Sequence, residues 1–259
     1  MVETLQPHIS STLVGESRQG FEIYGDLGEL AASVAVSDHG ASIGEEQPAF
    51  RVRTARPRPV LPESAALVAR RYGDRGYKVT PTQQHPNLYT FGAYDAGSLA
   101  GTVAIRLDSS AGLAADRLYK PEVDNLRATG YRFAEFTRLA LEAQSASKEV
   151  LAALFHTAYL FAHVVRGFSH AVIEVNPRHV AFYRRVLFFT VLAEERHNAR
   201  VDAPAVLLGL DFNRITDELR TFRQHQALRT HQDSFFAHAF SLEDESGVVA
   251  RLRRFDCEA

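Results

Sequence analysis

Residues 171–189 read AVIEVNPRHVAFYRRVLFF, and this stretch decides the fold because a strand passes directly into a helix. Ala171–Val175 is apolar and β-branched with a single polar residue, which predicts a buried strand. Asn176 is a favoured N-cap residue and Pro177 suits the first helical position, so a helix is expected to begin there. That helix would start at the carboxyl end of a strand, where ligands of α/β sheets tend to bind.

A long amphipathic helix is predicted immediately before this strand. Ser147 predicts its N-cap, apolar residues recur at helical spacing, and Gly167 predicts its end. The preceding segment RFAEFTRLALE, residues 132–142, alternates between apolar and polar residues as a strand does. Strand, helix and strand at this spacing predict a βαβ unit with two parallel strands and a right-handed crossover.

Further strands are indicated on both sides of this unit. Residues 88–109 alternate in two runs separated by a turn at Asp95–Gly97, which predicts a hairpin. FRVRTA at residues 50–55 predicts a first strand, and helices are expected from Pro62 and from Pro121 to Gly130. FFTVLAEER and APAVLLGLDF predict two late strands. The expected fold is therefore α/β (α+β), with a mixed central sheet of six to seven strands flanked by helices.

The composition is that of an ordinary globular protein. The 259 residues are 46% hydrophobic and 23% charged, and the net charge of -2 gives no indication of nucleic-acid binding. The first residues show no secretory signal, and no apolar run approaches the length of about 18 residues that a membrane span needs. Cys257 is the single cysteine, so an intrachain disulfide is excluded. These observations favour a cytoplasmic protein.

The residues around Asn176 also carry a resemblance to a known family. VIEVNPRHVAFYRRVLFF resembles the last βα unit of the GNAT acyltransferases. Its Asn-Pro-Arg-His-x-x-Phe-Tyr-Arg-Arg string is similar to the FeeM-type long-chain N-acyl amino acid synthases, which are relatives of the LuxI-type autoinducer synthases. LYKPEVDNLRATG, EFTRLALE and APAVLLGLDF match the same group, so the resemblance covers residues 50–212. It implies a GNAT-like acyltransferase fold.

Two departures from the GNAT pattern bear on the acyl donor and on the helix. Phe188 stands where the family usually has the Gly before Phe189. The segment AQSASKEV, residues 143–150, replaces the Gly-rich loop that holds the pyrophosphate of CoA with backbone N–H groups in acetyl-CoA-using members. The FeeM and LuxI groups also lack that loop and can take acyl groups from acyl carrier protein, so the resemblance favours such a donor without excluding CoA.

The resemblance implies an N-acyltransferase that moves a long-chain fatty acyl group from an acyl carrier protein or acyl-CoA thioester to the amine of an amino acid or similar small metabolite. Direct attack in a ternary complex is expected, because no nucleophile elbow is present. No tightly bound cofactor is expected; acyl-phosphopantetheine or acyl-CoA would be the co-substrate. Two alternatives stay open, a short-chain CoA-dependent N-acetyltransferase and a catalytically silent GNAT-like binding domain, and a loose membrane association through a lipid product is also left open.

The chain is expected to divide into three parts. Residues 1–47 hold eight acids and one arginine, which predicts an acidic extension that is partly ordered at best. Residues 48–212 would form the acyltransferase domain, and residues 213–259 a polar helical extension.

The catalytic candidates follow from the resemblance. Glu135 and Arg138 match a Glu-x-x-Arg of the LuxI-type pattern, in which Glu135 would take the proton of the attacking amine and Arg138 would bind substrate. Residues three apart face opposite sides of a flat strand, so the two would cooperate only across a bulge. Tyr183 resembles the GNAT tyrosine that protonates a leaving thiolate, although a core aromatic is the competing interpretation.

Other residues are candidates for binding the substrates. His179 shares a helix face with Tyr183, while Arg184 and Arg185 would meet an acidic carrier protein or a pantetheine phosphate. A solvated helix face is the alternative for the two arginines. Asn176 would help to bind the donor at the start of the helix, and an apolar channel for the acyl chain is predicted among Phe133, Phe155 and their neighbours.

The remaining histidines indicate structure more than chemistry. His156 and His163 lie seven residues apart on the long helix, and polar packing over the sheet is expected for both. His225, His231 and His238 lack the spacing of a metal-ligand set, so no metal site is predicted.

Overall fold

The computed structural model describes most of the chain after residue 50, and the predicted acidic extension lies outside the described residues. The described residues are 50–55, 62–78, 85, 87–95, 97–143, 147–226, 235–238 and 240–257. Within them no helix is both long enough and apolar enough to cross a bilayer.

Seven strands form one mixed sheet in the order β1-β2-β3-β4-β5-β7-β6. All pairs are antiparallel except β4 with β5, which are parallel as the βαβ unit predicts. The predicted mixed sheet of six to seven strands is therefore confirmed. The strands are β1 (Phe50–Ala55), β2 (Leu88–Asp95), β3 (Ser98–Leu107), β4 (Phe133–Leu141), β5 (His170–Val175), β6 (Thr190–Asn198) and β7 (Ala203–Asp211).

Six α-helices surround the sheet among the described residues. Ser147 caps the long central helix as predicted, because its hydroxyl accepts a hydrogen bond from the N–H of Val150 at 3.2 Å. This helix continues through a π-helical turn, Leu160–Val165, to Gly167. The helices are α1 (Pro62–Gly73), α2 (Asp116–Ala128), α3 (Lys148–Tyr159), α4 (Val180–Val186), α5 (Phe212–Gln226) and α6 (Leu242–Cys257).

The start of α2 differs from the prediction. It begins at Asp116 and not at Pro121, and the two parts join at Tyr119, whose backbone is non-helical. A carboxylate oxygen of Asp116 accepts the N–H of Leu113 at 2.7 Å, which fixes the chain before the first turn. The break at Tyr119 lets Pro121 sit inside the helix without a clash in the preceding turn.

Two features of β4 open the sheet. The parallel pairing with β5 extends only over Phe133–Phe136 opposite His170–Ile173, and the two strands part beyond it. On the other side, β4 carries one more residue than β3 between Thr137 and Ala140, which is a β-bulge. Arg138 lies in this bulge with a φ of 55°, in the left-handed region that residues other than Gly rarely adopt. The notch between β4 and β5 is thus bordered by an irregular strand.

The two faces of the sheet have separate hydrophobic cores, and this corrects the predicted acyl channel. Phe155 of α3 packs with Ala134 and Phe136 on one face. Phe133 packs with Val172 against α2 on the other. Because side chains alternate along a strand, Phe133 and its neighbour Ala134 point to opposite faces. A channel shared by Phe133 and Phe155 is therefore excluded.

The C-terminal helices pack onto the α3 face through a few polar contacts. The buried His156 accepts the N–H of Phe240 at 3.0 Å and stacks on its ring, while its other nitrogen lies 3.2 Å from a carboxylate oxygen of Glu245. A nitrogen of His163 lies 2.8 Å from the carbonyl oxygen of Phe168. The polar packing predicted for His156 and His163 is confirmed. Residue 231 lies outside the described residues, and His238 pairs with Glu149 at 2.9 Å.

Candidate active site

A cavity of about 330 Å³ lies where β4 and β5 part. It is bordered by the second half of β4, the end of β5, α1 and the loop after β6. Its lining combines seven cations, two carboxylates and three phenols in one space: Arg71, Arg75, Lys78, Arg106, Arg117, Arg138 and Arg200; Glu135 and Glu174; Tyr72, Tyr77 and Tyr183.

Glu135 is buried in this cavity, with 2% of its surface exposed. Its carboxylate accepts the N–H of Ala114 at 2.6 Å and that of Ala115 at 3.0 Å, one on each oxygen. Burial, with the nearby carboxylate of Glu174 as the next contribution, raises the pKa of Glu135 to about 7. The structure therefore joins Glu135 to the turn that precedes α2.

The bulge in β4 brings Arg138 into the same cavity as Glu135. A regular strand would place residues three apart on opposite faces, and the extra residue at Arg138 removes that obstacle. Nη1 of Arg138 and Nε of Arg106 are buried and have no hydrogen-bond partner within the described part of the chain. Burial lowers the pKa of both guanidinium groups. Buried donors without partners are costly, so these two atoms indicate a place for an anion.

Glu174 is a second cavity carboxylate that the sequence analysis did not single out. Its Oε2 accepts the amide N–H of Asn198 at 2.7 Å and lies 3.3 Å from the guanidinium of Arg200. Its Oε1 is buried without a hydrogen-bond partner among the described residues. Burial raises the pKa of Glu174. The sequence does contain a signal for Glu174, because it is the one polar residue in the apolar run AVIEV. A single polar residue in a buried strand is compatible with an exposed position and also with a functional site.

Tyr183 and His179 line this cavity together, as their shared helix face predicts. The ring of Tyr183 is buried against Phe155, Phe182 and Phe189, and burial raises the pKa of its hydroxyl. Burial, followed by the charge of Arg178, lowers the pKa of His179 to about 4, so its imidazole is neutral at pH 7. Its Nε2 accepts the Nε–H of Arg178 at 3.1 Å.

Asn176 caps the turn as predicted. Its side-chain oxygen accepts the N–H of Arg178 at 3.2 Å, and Pro177 occupies the first position. The structure begins with a 3₁₀ turn, Pro177–His179, and only then becomes the seven-residue α4. Asn176 also lines the cavity, so its position is compatible with the predicted contact to the acyl donor.

Arg184 and Arg185 lie outside this cavity, and their predicted contact with an acidic carrier protein or a pantetheine phosphate stays a prediction. Both are exposed and line a separate open groove of about 1240 Å³ with Phe188 and Arg214. Each residue of an α-helix turns by about 100°, so the two residues after Tyr183 cannot share its face. Phe188 in this groove has a φ of 59°, in the left-handed region that Gly adopts more readily than other residues.

Residues of α1 and the loop after it were not predicted as part of the site. The hydroxyl of Tyr77 accepts a hydrogen bond from Arg178 at 2.8 Å, which joins this loop to the turn before α4. Burial raises the pKa of Tyr72 to about 12, so its hydroxyl stays protonated at neutral pH. The sequence holds no motif in this segment, and only tertiary packing places it over the notch.

A small apolar cavity lies behind the rings at the notch. It has a volume of about 40 Å³ and is lined by residues of α3, β4 and α5, including Phe136, Phe155 and Phe212. The rings of Phe136 and Phe155 are stacked 5.7 Å apart, and Phe155 also meets the ring of Tyr183. Phe136 lines both cavities, so its ring lies between the notch and the small apolar cavity.

Comparison with known proteins places the chain in a family. The family model described as N-acyl amino acid synthase FeeM matches residues 63–211. The solved structure of FeeM, an N-acyl amino acid synthase from uncultured soil microbes, is 26% identical with a TM-score of 0.57, over 64% of this chain and 93% of that chain. A search of curated proteins finds no match.

Other solved structures are less similar. The AHL synthase LasI is 15% identical with a TM-score of 0.44, over 63% of this chain and 90% of LasI. An N-acetyltransferase from Staphylococcus aureus Mu50 is 14% identical with a TM-score of 0.44, over 63% of this chain and 97% of that chain. Both similarities are too low to indicate function. The family match extends over more than half of the chain and includes every residue that lines the cavity, so the protein is an N-acyltransferase that belongs to the FeeM family of N-acyl amino acid synthases.

Proposed function

We propose that this enzyme transfers a long-chain fatty acyl group from an acyl carrier protein or acyl-CoA thioester to the amine of an amino acid. The observation that carries the proposal is that one cavity holds buried guanidinium donors without partners beside two buried carboxylates. An amino acid is the small amine that matches both, since its carboxylate needs donors and its ammonium needs acceptors. We also propose residues 48–212 as the acyltransferase domain, which contains every residue lining this cavity.

The acceptor would bind with its carboxylate at Arg138 and Arg106, whose free donors lie inside the cavity. Its ammonium would then lie on the side of Glu135 and Glu174, the two carboxylates of the same lining. This orientation leaves the amine between a proton acceptor and the notch, where an attack on a thioester carbonyl is possible without a covalent acyl-enzyme.

The donor would enter where β4 and β5 part. The pantetheine arm fits along the separated strands, and the acyl chain would follow the apolar surface of Phe136 and Phe155 toward the core. Tyr183 lies beside this path, and its hydroxyl, which carries a proton at neutral pH, is the group that would protonate the leaving thiolate. The proposed co-substrate is acyl-phosphopantetheine on a carrier protein, as the replaced Gly-rich loop indicates.

A short-chain CoA-dependent N-acetyltransferase is the second candidate. The volume of the apolar cavity, about 40 Å³, favours it, because a long acyl chain needs more room or a movement of the surrounding side chains.

The donor and the acceptor can be determined in one experiment. Free-thiol release would be followed with long-chain acyl carrier protein, long-chain acyl-CoA and acetyl-CoA, each with and without a pool of amino acids. The proposal predicts release with a long-chain donor that depends on the amino acids. Release from acetyl-CoA alone would replace it by the second candidate, and no release with any donor would support a silent binding domain.

Replacing Tyr183 by phenylalanine is expected to lower kcat by about 10- to 100-fold, because the thiolate then has to take its proton from water. The ring stays in its apolar surroundings, so little loss of stability is expected. The rate of a single turnover with the preferred donor measures the effect. Tyr131→Phe, at an exposed tyrosine of the separate groove, is the matched control. An unchanged rate in the Tyr183 variant would contradict a role in proton transfer.

A further inference from the structure

The carboxylates of Glu135 and Glu174 differ in how many of their oxygens accept a hydrogen bond from the protein. Both oxygens of Glu135 accept backbone N–H groups, from Ala114 and Ala115, at hydrogen-bonding distance. These bonds stabilise the charged form and hold the turn before α2 in place. A proton arriving at one oxygen of Glu135 would weaken the hydrogen bond that this oxygen accepts, and the turn would lose part of its support.

Only one of the two carboxylate oxygens of Glu174 accepts a hydrogen bond from the described residues. Asn198 at the end of β6 and Arg200 in the loop after it both contact Oε2, which fixes the orientation of the side chain. Its side chain is only 8% exposed, and Oε1 has no partner within the described residues although it is buried. Holding that loop explains the contacts of Oε2 and leaves Oε1 unexplained. A buried carboxylate oxygen in a cavity indicates a ligand that donates a hydrogen bond.

We infer that Glu174, and not Glu135, receives the ammonium of the acceptor and takes its proton, while Glu135 anchors the turn before α2. This inference rests on the proposed function. Glu174 lies two residues beyond Val172 on β5, and Val172 pairs with Glu135 on β4, so the two carboxylates lie on the same face of the sheet. The charged and titratable groups that face Glu174 are Arg200 from the loop after β6, Glu135 from β4 and Tyr119 from α2.

The reaction balances with these groups. The ammonium gives one proton to Glu174, which passes it on to water, and the free amine attacks the thioester carbonyl carbon. A C–N bond forms and, when the tetrahedral intermediate collapses, the C–S bond breaks. The second proton of the nitrogen leaves to water, and the thiolate becomes a thiol with a proton from Tyr183, which water then restores. The products are an amide, a free thiol and one proton in solution.

The test compares Glu174→Gln with Glu135→Gln in the full chain. Gln at position 174 keeps an oxygen that can accept the Asn198 N–H, so the fold is expected to survive, and thermal unfolding checks this. With an amino acid acceptor at pH 7, Glu174→Gln should lower kcat/KM by about 10²- to 10⁴-fold. A base must be deprotonated, so wild-type kcat/KM falls as the pH falls through its pKa, and Glu174→Gln should lose this acidic limb. Glu135→Gln should keep the limb and move it to lower pH, since a neighbouring negative charge is removed.

Hydroxylamine as acceptor distinguishes a role of Glu174 as a base from a role in supporting the site. It is uncharged at neutral pH, so it needs no base to become nucleophilic. Glu174→Gln should use hydroxylamine within a few-fold of the wild-type rate. Loss of both reactions would show that Glu174 only supports the site, and loss of the acidic limb in Glu135→Gln instead would restore Glu135 as the base; either result overturns the inference. A wild-type enzyme without turnover would overturn the proposed function itself, so the two failures are distinguishable.

Discussion

Replacing Arg138 by alanine is expected to lower kcat/KM for the amino acid by about 30-fold or more. The guanidinium lies in the cavity with a buried N–H that has no partner among the described residues, and the proposed acceptor carboxylate is the group that would use it. Removing one partner of a buried charged pair costs about 2–5 kcal/mol, or about 30-fold at the lower end. Most of the loss should be in KM for the amino acid, because the interaction forms in the ground state.

Steady-state kinetics with the amino acid as the varied substrate measures this effect. Arg220→Ala is the matched control, since Arg220 is an exposed arginine on α5 whose ion pair with Asp217 is open to solvent. The control should match the wild type. If the Arg138 variant instead loses affinity for the acyl donor while its KM for the amino acid stays constant, the proposed orientation of the acceptor is wrong.

Replacing Arg127 by alanine is expected to reduce the free energy of unfolding by about 3 kcal/mol. The guanidinium of Arg127 pairs with Asp108 at 2.7 Å and with Asp116 at 2.7 Å, and it also reaches Asp124. These contacts raise the pKa of Arg127, and the two nearer carboxylates are mostly buried. Without the guanidinium, several negative charges would remain close together and partly desolvated.

Urea unfolding followed by circular dichroism measures the change in stability. Lys120→Ala is the control on the same helix: its pair with Asp124 is largely exposed, so a change below about 0.5 kcal/mol is expected. Equal unfolding free energies for wild type and the Arg127 variant would contradict the account. The same variant should also lose activity, because Arg127 holds Asp108 and Asp116 at the two ends of the turn whose N–H groups bind Glu135.

The switch from strand to helix at Asn176 and Pro177 was predictable because it is encoded locally. An N-cap side chain and a proline act on their own backbone, so no knowledge of the rest of the fold is needed. The cap of the long helix at Ser147 was predictable for the same reason. The parallel β4 and β5 followed from the helix between them, since a crossover of that length leaves few other arrangements.

The bulge at Arg138 was not predictable from the residues alone. A bulge of this kind usually carries Gly where the backbone is left-handed, and the chain has Arg there. The position of the extra residue depends on how β3 and β4 pair, so the residues of β4 alone do not determine it. The cooperation of Glu135 and Arg138 therefore depends on a tertiary feature.

Glu174 and the arginines after Tyr183 are two cases in which the sequence pattern does not reveal which residues line the cavity. Glu174 is one carboxylate in an apolar strand, and the sequence does not distinguish a buried site from a break in the pattern. Arg184 and Arg185 form a conspicuous pair, yet helical geometry turns them away from Tyr183 and into another groove. Arg184 and Arg185 are therefore close to Tyr183 in the sequence without sharing its cavity, whereas Arg106 and Arg200 line the cavity although they lie far from Glu135 in the sequence.

Mass spectrometry of the product from a ¹⁵N-labelled amino acid tests the central claim most directly. The enzyme would be incubated with a long-chain acyl thioester and the labelled amino acid, and the organic extract analysed for the amide and for the free fatty acid. The account predicts an N-acyl amino acid that is one mass unit heavier than its unlabelled counterpart. Free fatty acid without the labelled amide would mean that water, and not the amine, attacks the thioester, and would contradict the assignment of this cavity to an amino acid acceptor.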